Sequence, residues 1–361
     1  MKNQTTKPKA IAKRAPKSLL PKTLLGDLRT LIEQARGFVA QAINSGMVML
    51  YWQIGERLRK EILGEERAEY GKQIVATMSQ QLTAEYGRGF SRSNLFSMLQ
   101  LVESYPNKQI VQTLSGQLSW SHFLEIIKID EPLKRDFYAE MCRYERWSVR
   151  TLRDKIGGQL YLRTAIAKKP DAVIQMELDK LRNEDLMTPD LVFRDPYVLD
   201  FLELTDSYSE KDLETAILRE IERFILELGT DFAFIARQKR ITIGRTDYYL
   251  DLLFFHRGLR CIMALELKLR AFQPADKGQM ELYLRWLDKY ERREGENAPL
   301  GLILCSEKNR EVVEMLQLDQ SGMRVAEYLT DLPPQSVFEA KLREIVRHAK
   351  EQFAARQQQG K

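Results

Sequence analysis

Tyr249-Leu-Asp-Leu-Leu-Phe-Phe-His256 and, four residues later, Cys261-Ile-Met-Ala-Leu-Glu-Leu-Lys268 decide how the second half of this chain folds. Both runs have the length and branched or aromatic content of buried strands, and strand side chains alternate between two faces. In the second run Cys261, Met263, Leu265, Leu267 and Leu269 form one unbroken apolar face. The other face reads Ile262, Ala264, Glu266, Lys268, so a carboxylate and an ammonium stand at the end of an otherwise buried strand, a costly placement unless something is gained. The first run places Tyr248, Leu250, Leu252 and Phe254 on one face and Asp251 on the other, between Tyr249 and Leu253. Two neighbouring strands thus carry one acid each. Carboxylates converging this way suit a hard divalent cation such as Mg²⁺ or Mn²⁺, which takes oxygen ligands and keeps positions for water and phosphate.

Outward from these runs the pattern is helix (211–228), strands (232–237, 240–243, 248–256 and 261–267), helix (275–291), strand (300–305), helix (310–316) and strand (323–328). That order predicts an α/β domain, a mixed sheet flanked by helices. In the leading helix Leu213, Ile217, Ile221, Phe224, Ile225 and Leu228 make the apolar stripe at 100° per residue, and Glu214 falls inside it as the anomalous charge. Taken singly, each acid reads as an ordinary paired or snorkelling residue; together with Lys268 they read as a site. Gln238 is a second polar candidate opposite in the sheet, and Gly244-Arg245 reads as a hairpin turn whose arginine touches a phosphate or is simply solvated. His256 is a lone histidine at a strand end, with no Ser or Cys spaced to complete a triad, and reads as structural.

The first half, 24–168, is helical throughout, with apolar residues three and four apart, as in Leu28, Leu31, Ile32, Ala35 and Val39, and predicts five to seven helices. Residues 73–85 form one helix, Gly87-Arg88-Gly89-Phe90 a tight turn, and Ser91 the N-cap of a helix over 92–103. This is the outline of a helix-turn-helix, in which Arg92, Ser93 and Asn94 occupy the helix start that reaches nucleic acid. Any pair of helices joined by a short turn has the same outline, so nucleic-acid binding and a protein-interaction or dimerisation role both stand. Ser119-Trp-Ser-His122 and Trp147-Ser148 are caps with aromatic anchors that serve equally as packing devices.

The 361 residues allow two or three domains, and 44% hydrophobic with 30% charged residues is ordinary for a folded globular chain. The longest apolar runs fall far short of the ~20 residues of a membrane span, so no membrane is expected as partner. Three cysteines at wide spacing, Cys142, Cys261 and Cys305, argue against a disulfide framework or a Cys-ligated zinc site, and a reducing cytoplasm fits them. Net charge is +5, but residues 1–22 hold seven bases and no acid. Removing those seven from the 56 basic residues leaves 49 to face 51 acids, so the body is close to neutral. The tail has no apolar stretch of signal-peptide length, and it reads equally as a polyanion-steering arm or a solvated extension. The expected organisation is a basic tail (1–23), a helical domain (24–168), a linker region (169–200), an α/β domain (201–335), and a C-terminal helix and tail (336–361), the helix over 338–353.

An acid in a leading helix, an Asp on a strand and Glu-x-Lys on the next resembles the PD-(D/E)XK nuclease superfamily, with Leu250 where the first motif usually has proline. Phe-Ile-Ala-Arg-Gln at 234–238, the run at 249–256 and Ala-Leu-Glu-Leu-Lys at 264–268 are similar to the YhcG-type branch. Leu-Tyr-Trp-Gln-Ile-Gly at 50–55, Glu-Tyr-Gly-Arg-Gly-Phe-Ser at 85–91, Leu-Ser-Trp-Ser-His-Phe at 118–123 and Arg-Trp-Ser-Val-Arg at 146–150 resemble that family's helical domain. The resemblance implies a restriction-endonuclease-like fold and a metal-dependent nuclease. Asp251, Glu266 and the main-chain carbonyl of Leu267 would be ligands for Mg²⁺ or Mn²⁺, Lys268 would stand beside the scissile phosphate, and Glu214 would be a further acid. Some nucleases of the superfamily also support the site with a Gln-x-x-x-Tyr pair, here Gln279 and Tyr283, which share a helix face. DNA is the expected substrate, with RNA the other nucleic acid to test and a homodimer a further expectation. The rival from another class is a non-catalytic module that keeps the nuclease fold to grip nucleic acid or protein.

Overall fold

The structure is a computed structural model that describes residues 22–63, 68–202, 209–229, 231–330, 332–337, 339–340 and 343. The basic tail up to residue 21 and most of the helix expected over 338–353 lie outside the described residues.

Among the described residues of the first half there are eight α-helices: α1 (Lys22–Leu63), α2 (Ala68–Tyr86), α3 (Arg92–Ser104), α4 (Lys108–Ser115), α5 (Trp120–Ile126), α6 (Pro132–Glu145), α7 (Val149–Gly157) and α8 (Leu160–Arg163). Chain breakers explain why the count exceeds five to seven: α3 stops before Tyr105-Pro106, Gly116 caps α4 and Gly158 caps α7. Helices α1 and α3 touch backbone to backbone at Gly55, where a Cβ would lie 2.1 Å from the Met98 carbonyl oxygen. Trp52 donates to the Tyr105 carbonyl at 2.9 Å, and the aromatic caps are packed into the bundle: Trp147 is buried, and His122 Nδ1 accepts from the Ser119 N–H while its Nε2 meets the Trp147 carbonyl.

The stretch 169–200, expected to be a linker, is packed structure. It holds α9 (Asp171–Glu184), α10 (Pro189–Val192) and β1 (Tyr197–Val198). Its polar and proline residues mark tight turns between short elements, while Ile174, Leu178, Leu181, Leu191 and Tyr197 are buried in the main core. Helix α11 (Glu210–Arg219) and α12 (Ile221–Leu228) replace the single helix expected there, with Glu220 at the break (φ −105°, ψ 30°).

The remaining elements are β2 (Phe232–Ile243), β3 (Thr246–His256), β4 (Cys261–Lys268), α13 (Pro274–Tyr290), β5 (Leu300–Cys305), α14 (Arg310–Met315) and β6 (Met323–Leu329). The six strands lie in the order β1-β6-β5-β4-β3-β2. Pairing is antiparallel from β2 to β4 and parallel from β4 to β1, so the α/β expectation of a mixed sheet flanked by helices holds. The two short strands expected at 232–243 are one long strand with a register shift between Phe234 and Ala236.

Side-chain alternation along β3 departs from the expected pattern at the site. Leu252 and Phe254 pack in the core shared with the helical half, whereas Leu250 joins Leu253, Ile262 and Ala264 in the core under α13. The ladder pairs Arg237 with Leu252 and Lys239 with Leu250 and skips Gln238 and Asp251 between them. Gln238 is left-handed there (φ 43°), a conformation costly for a non-glycine residue and common at functional sites.

Both halves contribute to one hydrophobic core, which runs from Val48, Trp52, Phe123 and Tyr138 through α9 to Leu252, Met263, Leu265 and Leu304 on the sheet. His256 closes the β3–β4 turn, 3% exposed, its Nδ1 accepting the Leu259 N–H at 2.9 Å and its ring edge-on to Phe232. Burial pushes its pKa down to about 4. The folded state therefore binds this proton less readily than the unfolded chain. The stabilisation is complete above the unfolded pKa of about 6.5 and is lost as pH falls from there to about 4, a swing of about 3 kcal/mol. Thermal melts from pH 7 to 4 should show a steep fall for wild type and a flatter one for His256→Asn; equal slopes would exclude this role.

Candidate active site

Two backbone N–H groups lock Asp251 and Glu266 together across β3 and β4. The Leu267 N–H donates to Asp251 Oδ2 at 2.9 Å, and the Asp251 N–H donates to Glu266 Oε1 at 3.3 Å. Lys268 Nζ donates to Glu266 Oε2 at 3.0 Å. From β2 the kinked Gln238 reaches both Asp251 Oδ1 and Glu214 Oε2, each at 3.0 Å. Glu214 comes from α11, whose start is fixed by a Ser209–Asp212 capping box and whose Leu213 and Ile217 sink into the core. The five residues Glu214, Gln238, Asp251, Glu266 and Lys268, expected from sequence, are therefore brought together.

The electrostatics follow from burial. Glu266 is 3% exposed; burial first and the Asp251 charge second push its pKa up to about 7, against the pull of Lys268. Burial also raises Asp251, opposed by the Leu267 N–H, Lys268 and Gln238. For Lys268 burial alone would favour proton loss, but Glu266 and then Asp251 hold the proton on.

Among the described residues no three His, Cys, Asp or Glu side chains converge to enclose an ion. The arrangement has instead two adjoining carboxylates and one buried Glu214 oxygen, Oε1, that lacks a hydrogen-bond partner. An all-oxygen, incompletely closed donor set fits a hard divalent cation that keeps water or substrate in its remaining positions. A cleft of about 410 Å³ opens beside it, lined by Glu210, Lys211, Glu214, Arg237, Gln238 and Asp251.

Other expected residues lie around or away from this cluster. Gln279 donates to the Tyr283 hydroxyl at 2.7 Å, and that hydroxyl donates to the Tyr249 carbonyl at 3.3 Å. The pair thus ties α13 to the β3 backbone two residues before Asp251, without a hydrogen bond to a site carboxylate. Arg245 is exposed at the tip of the β2–β3 hairpin, on the order of 20 Å along the strand from Asp251. In the helical half Ser91 caps α3 as expected, accepting the Asn94 N–H, and Arg92 and Ser93 are exposed. Asn94 is engaged inside the fold: it donates to the Gly89 carbonyl and accepts from Trp120 Nε1 at 2.8 Å, so it is not free to reach a base as the helix-turn-helix expectation required.

Two site neighbours escaped the sequence reading. Glu210 accepts the Leu269 N–H at 3.2 Å, and Arg237 Nε lies 3.9 Å from Glu214. Glu210 stands four residues before Glu214, on the same helix face, and that spacing was the signal available. Arg270 forms two bonds to the buried Asp276, fixing the turn that carries the chain from Lys268 into α13.

A family model for the YhcG PDDEXK nuclease domain matches residues 190–343, and one for the DUF1016 N-terminal domain matches 27–163. The protein called "Putative nuclease YhcG" in Escherichia coli (strain K12) is 35% identical over 308 residues, covering 77% of this chain and 81% of its own length. Among solved structures, a repair endonuclease from Pyrococcus abyssi aligns over 36% of this chain and 50% of its own, at 21% identity and a TM-score of 0.25. An EndoMS–dsDNA2 complex aligns over 37% and 49%, at 19% identity and a TM-score of 0.26.

Since the Asp251 charge helps to raise Glu266, Asp251→Asn should lower the Glu266 pKa from about 7 toward the ordinary carboxylate range, burial keeping part of the shift. Carbon-13 NMR of the Glu266 side-chain carboxyl in metal-free protein reads this directly. An unmoved titration would mean that the two carboxylates do not interact.

Proposed function

Because the chain belongs to the YhcG family of PD-(D/E)XK nucleases, we propose that it is a metal-dependent endonuclease that hydrolyses phosphodiester bonds in DNA. The observation that carries this reading is the buried Glu266 held against the half-buried Asp251, beside Lys268 at the end of β4. A carboxylate buried directly against a second, half-buried one is poorly explained by stability alone. Asp251, Glu266 and the main-chain carbonyl of Leu267 would hold Mg²⁺ or Mn²⁺. Such an ion, when bound, neutralises charge on the phosphate and acidifies a water.

The protein's own groups do the rest. Gln238 holds Glu214 and Asp251 in fixed orientation, so the donor oxygens need little reorganisation. Lys268 is held protonated by Glu266 and presents its ammonium at the rim of the pair, where negative charge grows on the attacked phosphate. The Gln279–Tyr283 pair braces the strand that carries Asp251.

Calorimetry should show one class of Mn²⁺ site that is lost in Asp251→Asn and kept in Lys268→Ala. Lys268→Ala should cut DNA on the order of a hundredfold more slowly, equivalent to about 3 kcal/mol of transition-state stabilisation. The substrates are supercoiled, branched and single-stranded DNA, with RNA and chelator controls. Wild type that binds these but never cuts would establish the non-catalytic module instead, and cutting of RNA alone would move the substrate assignment.

We also infer that the helical half contacts the nucleic acid through Arg92 and Ser93 at the exposed start of α3, where backbone N–H groups and the helix dipole favour phosphate. Removing residues 1–22 should flatten the salt dependence of DNA binding, since fewer counterions are released. Arg92→Ala should weaken binding without touching Mn²⁺ affinity, and Asn94→Ala should lower the melting temperature instead. Unchanged affinity and salt slope in the first two variants would leave this half to protein interactions.

A further inference from the structure

Helix α1 leaves the body of the protein. Its first ties to the bundle are Gln41, which donates to the Gly116 carbonyl, and Ser45, whose hydroxyl meets that of Ser115 at 2.9 Å. Its first buried residue is Val48. Before that, every residue from Gly26 to Asn44 is exposed, a stretch of helix roughly 28 Å long at 1.5 Å per residue.

The arm is not built for water. At 100° per residue Leu28, Leu31, Ile32, Phe38, Val39 and Ile43 fall within one arc of roughly 140°, with Ala35 and Ala42 between them and no charge inside it. These six large side chains are between 46% and 73% exposed. Single exposed apolar residues are ordinary, but a continuous patch of this extent is at or beyond the roughly 300–600 Å² of the largest patch on a typical monomer. Gly26 and Gly37 weaken the helix here, each by about 1 kcal/mol relative to alanine.

We propose that this arm, residues 26–47, packs against the same arm of a second copy, making the protein a homodimer joined through α1. Leu28, Leu31, Ala35, Phe38 and Ala42 alternate by three and four, the spacing by which two identical helices interlock. A two-fold contact uses the same patch on both partners, and six large apolar side chains from each copy supply the order of the ~1,000 Å² that a specific interface needs. The charges agree: Asp27, Arg29, Glu33 and Arg36 sum to zero and lie outside the apolar arc, so two arms meet without net repulsion. A neutral apolar face has no attraction for phosphate, which sets this surface apart from a nucleic-acid contact.

The test is the mass of the full chain in solution by light scattering and sedimentation over a roughly hundredfold range of concentration. Wild type should run at twice the 42.1 kDa chain mass. Leu31→Glu with Phe38→Glu should raise the dimer dissociation constant by roughly a hundredfold or more. The circular dichroism of the dissociated double variant should keep the helical bundle, because both side chains are exposed within one copy. Glu33→Gln, outside the apolar arc, should leave the dimer intact. Monomeric wild type at every concentration, or a double variant as dimeric as wild type, overturns the proposal. A monomeric wild type whose melting temperature drops in the double variant assigns the face to packing within its own chain and overturns it equally.

Discussion

Two carboxylates side by side, Glu266 buried and Asp251 half-buried on the wall of the cleft, are the constraint around which the α/β half is arranged. Asp251 and Glu266 repel one another and both lose solvation, and the protein compensates with groups that are rigid rather than merely opposite in charge. Each accepts a backbone N–H from the other's strand, which only an antiparallel pair in this register can offer. Lys268 adds an ammonium, and Gln238 adds an amide at the cost of a left-handed backbone. The parallel strands β5 and β6 then bury the far side of β4, so that Glu266 is shielded although it lies near a strand end.

The helical half is tied into the same architecture. Asp195, just before β1, accepts from Lys168, from Lys308 and from the Glu327 N–H; burial alone would raise its pKa, but the two ammonium groups hold it well below the usual carboxylate range. Glu227 on α12 plays the matching part, accepting from Arg163 of α8 and the Val198 N–H and lying 3.1 Å from Arg194, which keeps it ionised despite burial. Breaking one partner of such a buried group leaves an uncompensated charge, a loss of about 3–5 kcal/mol. Together with the common hydrophobic core, these hubs fix the first half to the sheet, while α11, which supplies Glu214, packs on that same core.

Strand alternation made Asp251, Glu266 and Lys268 legible, because a charge in an apolar run has few benign explanations. Helical periodicity did the same for Glu214, and the Ser91 cap could be read from its neighbours. Asn94 shows the limit: its type and position suit a base contact, yet Gly89 and Trp120, distant in different degrees along the chain, claim both ends of its amide. Leu250 shows another: strict alternation put it on one face with Leu252 and Phe254, yet it packs with Leu253 in the core under α13. The supposed linker failed for a similar reason. Proline, asparagine and aspartate there do mark turns, but whether turns join packed elements or a loose connection depends on what surface they cover.

The sequence by itself determined the fold class, the strand that carries the Glu-x-Lys pair and the identity of the anomalous charges, since each follows from local periodicity and the cost of burying charge. Only the tertiary structure decided which of those charges meet, that Gln238 joins Glu214 to Asp251, and that both halves share one core. Such facts depend on contacts between segments far apart in the chain, and one residue of register or one left-handed backbone angle redirects them.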